Sequence, residues 1–207
     1  MKAHTAESQA TVTPDKALQF LKEGNNRFIN NLKINRNLLE QVNDTREGQW
    51  PFAIVLSCID SRTSAELVFD QGLGDIFSVR IAGNILNEDI LGSMEFATKV
   101  VGSRIIVVLG HSKCGAVKGA CDHIEMGNLT TLLNKIQPAV YGEKSTSENR
   151  NSKNAEFVEK VASLNVQLTI ERIRRESVII RDLEESGAIK IVGGMYDVDS
   201  GMVDFYE

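Results

Sequence analysis

The strongest constraint on this chain is a set of short apolar runs, each cut off sharply by polar or turn-forming residues. Phe52 to Ser57 (FAIVLS) follows Pro51, Ile76 to Ile81 (IFSVRI) ends in Ala82-Gly83-Asn84, and Arg104 to Leu109 (RIIVVL) runs into Gly110. Each run is short and rich in β-branched residues, so each reads as a strand. They are apolar continuously rather than in alternation. That pattern suits a parallel sheet covered by helices on both sides. Ile189 to Val192 reads as a fourth strand. Met202 to Tyr206 (MVDFY) reads as a last edge strand after the turn residues Asp199-Ser200-Gly201.

Helical patterns fill the intervals. Ile90 to Val101 places Ile90, Met94, Ala97 and Val101 on one face, and Cys114 to Met126 starts just past the third strand. Ser152 to Glu185 is long and charged, with Val158, Val161, Leu164 and Leu168 in step. It reads as two helices stopped at Gly187. Near the start, Thr13 can cap a helix, Pro14 suits its first position and Asp15 its positive end. Asn30 to Gly48 is polar and is expected to begin as helix and end as loop. The expected fold is α/β: a mainly parallel central sheet of four parallel strands plus a C-terminal edge strand, flanked by helices. At 207 residues a single domain, 1–207, is expected. Residues 1–13 would be a flexible tail and 14–48 an N-terminal helical arm.

Composition narrows the function classes. The net charge is -5 and no Lys/Arg run stands out, so no nucleic-acid partner is expected. No apolar stretch is long enough to span a membrane, and the polar N-terminus lacks a signal-peptide core. The expectation is a soluble protein in the cytoplasm. Three cysteines, Cys58, Cys114 and Cys121, argue against a disulfide framework and leave thiols free for metal or chemistry.

Cys58-Ile59-Asp60-Ser61-Arg62 follows the first strand and His111-Ser112-Lys113-Cys114 follows the third. Ligands gather outside the carboxyl ends of the strands in open α/β sheets. If the two strands are adjacent and parallel, two sulfurs and one imidazole converge. That Cys₂His set is a catalytic zinc pattern with a fourth position free. Taken singly, a strand-end Cys is most often packing and a lone His most often structural; the two clusters together favour a zinc site. Asp60 beside Arg62 stays ionised. It could accept a hydrogen bond from metal-bound water or bind the metal itself, whereas an exposed loop ion pair contributes little.

CIDSR followed by HSKCG resembles the β-class carbonic anhydrases. Ala65 to Gln71, Val79 to Asn84, Gly92 to Phe96 and Ile106 to His111 resemble that family's intervening segments. The likeness runs from about Pro14 to the C-terminus. It implies zinc on Cys58, His111 and Cys114, with Asp60 and Arg62 as a dyad that orients zinc-bound hydroxide. It also implies Asp60 as a fourth ligand in a closed, inactive form. Gln49 matches a Gln that reaches in from a neighbouring subunit, Phe77 a pocket aromatic, and Gly115 a backbone N–H near the substrate. Phe96 stands where some members have a Tyr, without its hydroxyl. Val55 stands where the bicarbonate-inhibited subgroup has Trp, which weakens the case for that regulation. The implied reaction is reversible hydration of CO2 to bicarbonate, in a homodimer or homotetramer. Two thiolates beside the zinc imply activity that rises on the alkaline side of neutrality.

The same framework could hydrolyse carbonyl sulfide or carbon disulfide. A non-catalytic zinc-stabilised module is a different class, disfavoured by Arg62 and Gln49. Trp50 is expected to anchor its loop, Cys121 to fill core, and His4 and His123 to lie at the surface.

Overall fold

Alternation along the central strand shows how the sheet is built. The computed structural model describes residues 3–206; Met1, Lys2 and Glu207 lie outside them. The strands are β1 (Ala53–Ser57), β2 (Ile76–Arg80), β3 (Ile105–His111), β4 (Lys190–Tyr196) and β5 (Val203–Tyr206). Every residue of β1 and β3 is buried. Ala53 and Val55 pack into one apolar cluster with Leu21, Phe52 and Phe69. Ile54 and Leu56 pack into another on the opposite face, with Met94, Val166 and Ile173. Side chains that point alternately to two covered faces are apolar up to the strand ends, where the polar Ser57 and His111 sit, and each buried Val, Leu or Ile stabilises by about 1.5–3 kcal/mol.

The sheet order is β2-β1-β3-β4-β5. Four strands are parallel and β5 runs antiparallel to β4, as the sequence implies. At the edge, β2 is only partly buried.

The helices are α1 (Ala6–Ala10), α2 (Pro14–Ile29), α3 (Leu38–Asp44), α4 (Ala65–Val68), α5 (Glu88–Glu95), α6 (Gly115–Cys121), α7 (Gly127–Asn134), α8 (Gln137–Gly142), α9 (Ala155–Glu176) and α10 (Val178–Glu185). Thr13 caps α2 by accepting from the Lys16 N–H, with Pro14 in its first turn. Among the described residues, no helix is long and apolar enough to cross a membrane.

Several local expectations need correction. The segment expected as a flexible tail holds a capped helix, with Thr5 and Ser8 forming a capping box. Gln9 ties it down, donating from Nε2 to the carbonyls of Pro51 (2.8 Å) and Val101 (3.2 Å). Residues 30–48 end in a turn and loop as expected but begin irregular, with α3 in between. Asn31 takes a left-handed φ of 54° just past α2, and Asn37 caps α3 through the Glu40 N–H. The irregular stretch is pinned by Asp70, which accepts from Arg27 (2.5 Å), Arg36 (2.5 Å) and the Ile34 N–H (3.2 Å). The helix expected over Cys114 to Met126 stops at Cys121, and His123 has a φ of 51°. The Ile90 to Val101 helix is α5 followed by a single π turn, Phe96–Val100. His4 is half-buried, its ring edge-on to Phe52 at 5.4 Å.

The buried face of α9 is Phe157, Val158, Val161, Ala162, Asn165, Val166, Thr169, Ile170 and Ile173. Leu164 and Leu168, expected in the core stripe, are only partly buried. The face includes two polar residues, which an apolar stripe does not reveal.

Candidate metal centre

The chain leaves β1 toward β2 on one side, and β3 lies on the other. The crevice between β1 and β3 is therefore the topological switch point, where α/β sheets bind ligands. Ser57, the last residue of β1, pairs with Leu109. Cys58 follows directly, His111 ends β3, and Cys114 sits at the N-cap of α6. Their ligand atoms all lie within 4.8 Å of one another, and all three residues are buried.

The loop that returns Cys114 to His111 is held from outside. Lys113 adopts a φ of 57°, and its N–H donates to Glu159 at 2.8 Å. Ser112 Oγ donates to Asp197 (3.0 Å) and accepts from the Val198 N–H (2.9 Å). On the other side, Gly83 has a φ of 68°. An added Cβ there would lie 2.6 Å from Ile136 Cδ1, so glycine suits both the backbone and the close approach. The Gly83 N–H donates to Cys58 Sγ at 3.3 Å.

The donor atoms suit a cation. His111 Nδ1 lies 2.9 Å from the Ser112 carbonyl. A carbonyl only accepts, so Nδ1 carries the proton and Nε2 presents a lone pair. Nε2 is buried and has no hydrogen-bond partner, a costly state for a polar atom. Nδ1–H donated to a carbonyl is also how metal-binding histidines are oriented. The hydrogen bond with Cys114, opposed by burial and aided by the Gly83 N–H, holds the Cys58 thiol well below its ordinary value. The same shared proton, together with burial, pushes Cys114 up. Two thiolates and an imidazole could hold a borderline-soft divalent ion.

Asp60 lies outside that group of three. Arg62 holds both its oxygens, from Nε to Oδ1 (2.9 Å) and Nη2 to Oδ2 (2.7 Å), and its N–H donates to Oδ1 at 3.0 Å. The Arg62 hydrogen bonds, opposed by partial burial, put the carboxyl far below the usual carboxylate range. Both acceptor oxygens of Asp60 are thus held in a fork by Arg62.

The remaining expected residues are placed as follows. Phe77 on β2 and Phe96 meet edge-on at 6.4 Å and share an open groove with Ile54, Val79 and Gly92. None of the three donor residues lines that groove. Gly115, the first residue of α6, is exposed beside Cys114. Gln49 is exposed in the loop before β1, and Trp50 is partly buried. Cys121 is buried and His123 exposed. Val55 is buried within β1.

Sequence reasoning missed the residues that fix the Cys58–Arg62 loop. Arg80 donates to the carbonyls of Cys58 (3.0 Å) and Asp60 (2.6 Å). Thr63 Oγ1 donates to the same two, at 3.2 and 2.9 Å. Arg80 lies in the VRIAGN segment, and Thr63 directly follows CIDSR. The motif boundaries were the only signal for either.

A sequence profile of the carbonic anhydrase family matches residues 53–203. The chain belongs to the β-class carbonic anhydrase family. Carbonic anhydrase 2 of Mycobacterium tuberculosis is 34% identical over 194 residues, covering 91% of this chain and 90% of the relative. A carbonic anhydrase of Mycolicibacterium smegmatis is 32% identical, covering 92% of each. Among solved structures, the β-carbonic anhydrase CcaA superposes with a TM-score of 0.72 at 25% identity, over 92% of this chain and 95% of its own. A tetrameric β-carbonic anhydrase of Sordaria macrospora gives 0.69 at 25% identity, over 77% and 82%. The β-carbonic anhydrase fold thus accounts for the sheet, and the chain is an enzyme of that family.

Proposed function

We propose that the enzyme reversibly hydrates CO2 to bicarbonate and a proton, with zinc held by Cys58, His111 and Cys114. The observation that carries this reading is the buried, partnerless Nε2 of His111 facing two cysteine sulfurs. Bound there, zinc would supply the Lewis acidity that makes water a nucleophile at neutral pH.

The chain's own residues do the rest. Asp60, kept ionised by Arg62, accepts a hydrogen bond from the attacking water and so aims its lone pair at the carbon. Arg62 fixes the carboxylate plane through two parallel bonds, which an ammonium could not do. Phe77 and Phe96, whose groove the donor residues of the same chain do not line, would supply an apolar wall for a linear, uncharged substrate at the site of a second copy. The Gly115 N–H donates to an oxygen as charge develops on it. Gln49 contributes the same kind of contact from a second copy of the chain.

Oligomerisation into a homodimer or homotetramer fits the exposed apolar side chains Leu38, Leu39 and Val42 on α3. A cytoplasmic location is supported by three unpaired cysteines among the described residues.

The test is stopped-flow hydration of CO2 on protein whose zinc content is measured, with carbonyl sulfide and carbon disulfide as competing substrates. CO2 turnover that scales with zinc supports the proposal. A zinc-replete protein that turns over only the sulfur compounds, or none of the three, would contradict it.

A further inference from the structure

Asn165 is a polar residue on the buried face of α9, only 4% exposed, in a stretch otherwise occupied by Val161, Ala162, Val166 and Ile170. Burying an amide there is unfavourable unless it is hydrogen-bonded. Its Nδ2 donates to the Gly83 carbonyl at 2.9 Å. Gly83 in turn donates its N–H to Cys58 Sγ at 3.3 Å. The Gly83 residue has a left-handed backbone, and a Cβ on it would lie 2.6 Å from Ile136 Cδ1 and 3.2 Å from Ala116 Cβ. One side chain from a distant helix therefore grips a glycine whose N–H meets a sulfur of the metal centre.

We infer that Asn165 is a positioning residue for the metal centre, fixing Gly83 so that its N–H donates to the Cys58 thiolate. This rests on the reading of Cys58 as a metal ligand. The physical effect is specific. An N–H on a thiolate withdraws electron density from sulfur and fixes the direction of its remaining lone pairs. Without the Asn165 amide the Gly83 carbonyl loses its buried donor, and the turn is free to rotate its N–H away. Partners of this outer kind, when removed, typically weaken metal binding by about 10–100-fold.

The experiment compares wild type with Asn165→Ala, and with Thr169→Ala as a control one turn along the same buried face. Folding is checked by circular dichroism. Zinc affinity is measured by chelator competition, and the cobalt-substituted proteins are examined for the thiolate-to-metal charge-transfer band. Asn165→Ala is expected to bind zinc roughly 10–100-fold more weakly and to move the band to lower energy. Thr169→Ala is expected to lower the melting temperature without moving either readout. Unchanged affinity and band in folded Asn165→Ala, or equal shifts in the control, would overturn the inference. If Asn165→Ala does not fold, Asn165→Leu, which keeps the branched shape but has no donor, carries the same readouts with the same meaning. A wild-type protein lacking the thiolate band would instead refute the ligand assignment itself.

Discussion

Cys58 and Asp60 are two residues apart, yet the parts of the site they belong to are built in opposite ways. The three donor atoms are assembled from two strands and a helix start, all buried. They are steadied by contacts from far along the chain: Gly83, Glu159 and Asp197. The Asp60–Arg62 pair is local. Its hydrogen bonds span two residues, and Arg62 is half exposed. Metal binding thus depends on the whole switch point between β1 and β3, whereas the dyad depends on one loop and on the Arg80 and Thr63 side chains that fasten it. The two should be separable by mutation.

The largest effect should come from the donor set. Cys58→Ser or His111→Ala is expected to lose zinc and to cut CO2 hydration by on the order of 10⁴-fold or more, because the source of the nucleophile is gone. Metal analysis and stopped-flow on the same samples check this, and a zinc-replete, active His111→Ala would erase the distinction. Next comes Asp60→Asn, which keeps the shape but replaces an acceptor oxygen with an amide. Zinc content should stay at the wild-type level while turnover falls by about 10²–10³-fold. Arg62→Lys keeps the charge but cannot grip both oxygens. Turnover should fall roughly tenfold, in kcat more than in KM, as expected when an interaction made chiefly in the transition state is lost.

The smallest effect on turnover should come from Asp70→Asn, outside both parts of the site. Burial pushes the Asp70 carboxyl up, but hydrogen bonds from Arg27 and Arg36 outweigh it and the net shift is downward. A carboxyl whose pKa is lower in the folded state stabilises the fold fully above its unfolded value of about 3.9. That contribution is lost as pH falls through the folded value. Asp70→Asn, which strips the charge facing two arginines, should cost about 3 kcal/mol at neutral pH and flatten the loss of stability in acid. Urea unfolding across that range checks it, with zinc content and turnover near wild type.

The same contrast governs what the sequence reveals. Ala53 to Leu56 and Ile105 to Leu109 are legible because burial on two faces favours apolar residues at every position. CIDSR and HSKCG are legible because strand ends place their residues, so a short motif carries the geometry. Asn165, Thr63 and Arg80 are not legible as site residues. Their roles consist of hydrogen bonds to backbone carbonyls, which leave no periodicity or spacing. The short helices α7 and α8 escaped for a different reason. Leu133, Ile136, Ala139 and Val140 are buried there, but helices of 8 and 6 residues are too short for their apolar spacing to stand out. In the N-terminal segment it is Gln9, a polar residue, that docks the helix.

The most direct test of a buried donor set served by a separable dyad is zinc content and CO2 hydration measured together on wild type and Asp60→Asn. Equal zinc in both proteins, with turnover lost only in Asp60→Asn, is the result expected. Full turnover in Asp60→Asn, or zinc and turnover falling together, would contradict the account.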